Sequence, residues 1–88
     1  MSAALHRALM LFETDRYELA AEEFRKALAD DPEDAVAHAM LGLCLIEGKQ
    51  YKPATEHVER AIHLAPDMAL GHSARSRVLF ERNYIDAR

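Results

Sequence analysis

Five histidines, one cysteine and several adjacent carboxylates are the residues of this 88-residue sequence that could do chemistry. Imidazoles and thiolates ligate transition metals, a cysteine beside a base is a nucleophile, and close carboxylates can divide acid and base work. The spacing argues against each. His38 and His72 are separated by the interval at which Tyr17 recurs as Tyr51, which makes them one structural position used twice, and packing accounts for that. His57 and His63 are six apart and fall on different faces of a helix, while His6 has no Cys or His at ligand spacing. No metal site is expected. Cys44 stands between Leu43 and Leu45 in a slot that suits a small core residue, so an inert buried thiol is expected. Glu22–Glu23 and Asp30–Asp31 stand among lysines and at helix ends, where solvation or capping explains them.

No Gly-rich phosphate loop, nucleophile elbow or basic-aromatic stripe gives positive support to an enzyme or a nucleic-acid binder, and no cofactor is implied. The formal charge of -4 offers phosphates no overall attraction. With half its residues hydrophobic and only three Gly and three Pro, the composition favours packed helices. A single cysteine makes no internal disulfide, and the start Met-Ser-Ala-Ala lacks the basic region and cleavage pattern of a secretory signal, so a reducing cytoplasm is the expected location. No apolar run approaches the roughly 20 residues of a membrane-spanning helix, so no membrane insertion is expected.

What would position these residues is a repeat. Tyr17-x-x-Ala20-x-x-x-Phe24-x-x-Ala27-Leu28-x-x-Asp31-Pro32 is echoed by Tyr51-x-x-Ala54-x-x-x-Val58-x-x-Ala61-Ile62-x-x-Ala65-Pro66, every pair separated by the same interval. The pattern predicts helices over about 2–13, 17–29, 34–47, 51–64 and 67–82, with a sixth starting near Tyr84. Asp15, with Glu18 three residues on, is expected to cap the second helix, and Asp31 to cap one that begins at Pro32. Gly48 and Asn83 are expected to end helices in the left-handed conformation. Glu22–Lys26 and Glu56–Arg60 place opposite charges one turn apart on solvated faces.

On these residues the chain resembles a tetratricopeptide repeat protein, whose period the interval from Tyr17 to Tyr51 matches. The resemblance implies an all-α fold of tandem helix-turn-helix repeats forming a short right-handed α-solenoid of about two and a half repeats. One domain, 1–88, would hold repeat 1 (1–34), repeat 2 (35–68) and a partial repeat 3 (69–88). Leu41-Gly42-x-x-Leu45 supplies the small and large residues this family places between its two helices. Repeat 1 departs from that pattern with Arg7 and Ala8 at the matching places. The partial third repeat is expected to leave Val78, Leu79 and Phe80 without a covering helix.

The family's first helices line a concave groove, which implies a partner-binding set of Leu5, Leu9, Phe12, Val36, Ala39, Met40, Leu43, Ile46, Leu70, Ser73, Arg77 and Phe80. The helix at 35–47 is apolar on nearly every side, more than one neighbour can cover. Family members that grip a C-terminal carboxylate use Lys, Asn and Arg here, whereas this sequence has Leu5, Leu9, Ala39, Met40 and Leu43. The expected ligand is therefore a protein or peptide segment that is apolar or helical, with Arg77 the groove's one cation and Met40 adapting to fit. A non-catalytic adaptor follows, binding protein and not nucleic acid. The alternatives are a self-association module forming homo-oligomers, through the groove or the C-terminal repeat, and a regulatory domain of a longer enzyme.

Overall fold

The computed structural model describes residues 2–86, with side chains through Asn83. Five helices follow one another: α1 (Ala3–Glu13), α2 (Tyr17–Asp30), α3 (Ala35–Glu47), α4 (Tyr51–Leu64) and α5 (Ala69–Asp86), with no strand among the described residues. Each helix packs on the next, and α5 also packs on α3, so the helices stack as a short α-solenoid 40 × 27 × 18 Å in extent. The position of α3 explains its composition. It meets α2, α4 and α5, and it buries every residue from Ala37 to Ile46 except Leu43. A helix covered on three sides has no solvated face to fill with charge.

The repeated residues are the ones that make the helices touch. Ala20 and Ala54, Phe24 and Val58, and Ala27 and Ala61 are buried pairwise, each pair one repeat apart. Alanines let backbones approach, and the larger Phe24 or Val58 fills the space between. At Gly42 the approach is closest, since an added Cβ would lie 2.6 Å from Val58 Cγ2 and 3.3 Å from the Ala54 carbonyl oxygen. Leu41, Ile46 and Val78 complete the fully buried large side chains.

The turns correct several expectations. Asp15 does not cap α2: the residue before that helix is Arg16, which makes no side-chain cap, and the Asp15 carboxylate instead accepts the Tyr17 hydroxyl proton at 2.8 Å. No helix begins at Pro32. The Asp31 carboxylate accepts from the Glu33 N–H at 3.2 Å, and Asp34 caps α3 by accepting from the Ala37 N–H at 3.1 Å. Gly48 has φ −85°, and the left-handed residue is its neighbour Lys49 at φ 61°. Asp15, the matching position one repeat earlier, has φ 62°. In both turns the following N–H returns to a carbonyl in the last helical turn, Arg16 to Leu11 and Gln50 to Leu45, each at 2.9 Å. The turn is thus repeated with the helices, and its geometry does not depend on glycine.

Asn83 does not end a helix either. α5 runs through it to Asp86, so the expected break before a sixth helix at Tyr84 is absent from the described residues. Val78 is fully buried, contrary to the expectation of an uncovered side chain, because α5 packs on both α3 and α4. Leu79 and Phe80 remain exposed.

Candidate functional site

Cys44 lines a cleft of about 500 Å³ between α2 and the end of α3, together with Asp15, Tyr17, Glu22, Arg25 and Glu47. Burial pushes its thiol up to about 11, against a smaller opposing pull from Arg25. No imidazole lines that cleft, so the thiol is neither ionised nor beside an imidazole base. Among the described residues no three His, Cys, Asp or Glu side chains converge as metal ligands.

Sequence spacing missed one polar constellation. His38 of α3 and His57 of α4 stack with ring centroids 5.4 Å apart, their Nδ1 atoms separated by 3.1 Å. His38 Nε2 bonds the Pro32 carbonyl oxygen at 2.8 Å. His72, the same position one repeat on, bonds the Pro66 carbonyl oxygen at 2.6 Å. The spacing of His38 and His72 therefore does mark one structural position. The His57 partnership joins residues on two helices, and nothing local in the sequence signals it.

The expected partner-binding residues divide into three groups. Leu5, Ala39, Met40 and Ile46 are buried, with Ala39 at 0% and Ile46 at 2% exposure. Within this chain the neighbouring helices already cover all four of these side chains. Leu9, Phe12, Val36, Leu43 and Leu70 are partly buried and rest against the outside of the core. Ser73 is exposed, Arg77 partly so, and Phe80 is 71% exposed.

Arg77 is not a bare cation. Its guanidinium bonds Glu47 on α3 and lies 3.4 Å from Glu81 one turn along α5. These two acidic partners occupy the same position in successive repeats and escaped the sequence reading, although that spacing was available as a signal. Nearby, the Phe12 and Tyr17 rings meet in a T-shaped arrangement with centroids 5.3 Å apart, and the Tyr17 phenol is raised above its ordinary pKa chiefly by its bond to Asp15. Met10 and Leu19 are further exposed apolar side chains outside the expected set. Among the described residues no helix is long and apolar enough to cross a membrane.

The family model of the tetratricopeptide repeat matches residues 11–78, which contain α2, α3, α4 and the junctions between them. A comparison with curated proteins gives no match. The matched span covers most of the sequence, and the chain belongs to the tetratricopeptide repeat family.

Proposed function

We propose that this chain is a protein-interaction module that holds an apolar or amphipathic segment of a partner against α1, α3 and α5. Repeats of this family generally mediate protein–protein interaction, and the fold is typically non-catalytic. The observation that carries the finer reading is the row Leu9, Phe12, Val36, Leu43 and Leu70, apolar side chains that pack against the core without being enclosed by it. Leu9 and Phe12 are one turn apart on α1, and Val36 and Leu43 two turns apart on α3, so each pair shares a helix face. On this reading the unit comprises repeats 1–34 and 35–68 with a partial repeat at 69–88, and it works in the cytoplasm.

Covering about 400 Å² of such surface at about 25 cal/mol/Å² gives on the order of 10 kcal/mol before association and ordering costs, enough for micromolar binding. A photo-crosslinking residue placed at Leu9 or Leu43 tests the reading against the same residue at Glu22 or Arg60, which are exposed on α2 and α4. The first two positions are expected to label a common protein that the second two do not, with labelling at Leu9 lost in Leu43→Glu while helicity by circular dichroism is retained. Equal labelling from all four positions sinks the groove. A concentration-dependent dimer in light scattering, abolished by Leu43→Glu, would assign the surface to self-association instead.

A further inference from the structure

We infer that His38 and His57 form an acid-sensitive fastening of α3 to α4, closed at neutral pH and weakened in acid. The geometry leaves the neutral pair one arrangement of protons. The Pro32 carbonyl only accepts, so His38 Nε2, 2.8 Å away, carries the hydrogen that it donates. In a neutral ring His38 Nδ1 must then accept. Across 3.1 Å the donor is His57 Nδ1–H, which leaves His57 Nε2 as the basic atom of that ring.

Acid acts on this arrangement in two steps. The first proton goes to His57 Nε2 and leaves both hydrogen bonds in place, but it puts a cation in a half-buried position stacked on His38. The second must go to His38 Nδ1, where two N–H groups would face each other across 3.1 Å and the bond is lost. His38 is only 9% exposed, so little water reaches it to replace that bond. The charged neighbours are Arg25 from α2, which opposes a cation on His57, and Glu56 from α4, which favours one. Arg75 of α5 is held by Glu59 of α4 at 3.0 Å.

Burial first, then His38 and Arg25, lower the pKa of His57 below 6.5, outweighing Glu56. The folded chain therefore binds this proton less readily than the unfolded chain does. Stability is complete above the ordinary imidazole pKa and declines as the pH falls from there toward the lower folded value. The first helix pair lacks this fastening, because the positions one repeat earlier are Ala4 and Glu23. Protonated His38 keeps its Nε2–H on the Pro32 carbonyl, so release loosens the α3–α4 pair and leaves the α2–α3 joint in place. That a partner would be released with it rests on the groove reading above; the fastening itself does not.

Urea unfolding at pH 7.5 and pH 5.0, with heteronuclear NMR of the imidazole nitrogens, tests this directly. Wild type is expected to show a several-fold rise in its unfolding constant at pH 5.0. His57→Gln keeps a donor for His38 Nδ1 but has no titration, and should lose most of that rise. A His6→Gln, His63→Gln double variant should keep it. NMR should find His38 as the Nε2–H and His57 as the Nδ1–H tautomer at pH 7.5. An unchanged unfolding constant, a rise that survives in His57→Gln, or the opposite tautomers would overturn the inference. Should His57→Gln fail to fold, the wild-type titration decides: His57 titrating at or above 6.5 overturns the fastening, and titrating below it supports it.

Discussion

The first helix pair, α1–α2, and the second, α3–α4, share one frame and are fastened by different means. In the first, Glu23 on α2 gathers Arg7 of α1 at 3.2 Å and Lys26 at 3.1 Å, and both cations are largely exposed. In the second, the position of Glu23 is His57, the position of Arg7 is the fully buried Leu41, and the polar bond is the half-buried imidazole pair. The frame is kept where backbones approach and a large side chain fills the gap. The polar fastening is free to differ because it is set by what surrounds each pair. α1 packs chiefly on α2, so its outward face can carry Arg7, whereas α3 lies among α2, α4 and α5 and has no such face. Exposed ion pairs contribute little in water, while a buried polar pair is costly to break.

The largest expected effect separates the cores of the two pairs. Phe24 and Val58 occupy the same repeat position and both are fully buried. Phe24→Ala should destabilise by about 3–5 kcal/mol and Val58→Ala by roughly 2 kcal/mol, a difference that follows the volume removed. Urea denaturation of the two variants checks it. Equal losses would mean that the second pair relies on that slot as heavily as the first and that side-chain size does not set the difference.

Next in size is Gly42→Ala, which gives the second pair the residue that the first carries as Ala8. Its methyl would sit 2.6 Å from Val58 Cγ2, and a β-branched side chain has little freedom to turn away. A loss of about 1–3 kcal/mol is expected, with Val58→Ala in the same chain recovering part of it in a double-mutant cycle. A neutral Gly42→Ala would show that the two pairs are spaced alike.

The smallest effect concerns the ion pairs. The Glu23 carboxylate is held below its ordinary pKa chiefly by its bond to Lys26, with Arg7 adding to it. Such a group stabilises above the ordinary carboxylate range, and the contribution is lost as the pH falls through its lower folded pKa. Glu23→Gln should therefore shift thermal stability only slightly at neutral pH, and less still at 1 M salt, where charges are screened beyond about 3 Å. A large, salt-independent loss would show that Glu23 is part of the core fastening after all.

Much of the fold was legible because it is periodic. The repeat placed Ala20, Phe24, Ala27 and their partners, and each proved to be a buried contact. The first five helix spans follow from the same apolar spacing. Caps and turns were less legible: Asp15, Asp31 and Asp34 are chemically alike, and which of them accepts a helical N–H depends on backbone angles within the turn. Lys26 bonds Glu23 in place of the expected Glu22, because Glu23 also reaches Arg7 across the helix pair. The burial of Ala39 and Ile46 could not be separated from the part exposure of Val36 and Leu43, since all four are apolar residues of one helix.

The sequence by itself determined the period, the helices and the residues through which they touch, because those depend on side-chain size and on spacing along one chain. Only the tertiary structure decided which apolar side chains of α3 stay partly open, that α5 covers Val78, and that His38 meets His57. Each of these depends on how far one helix leans over another, and that distance is set by several neighbours at once.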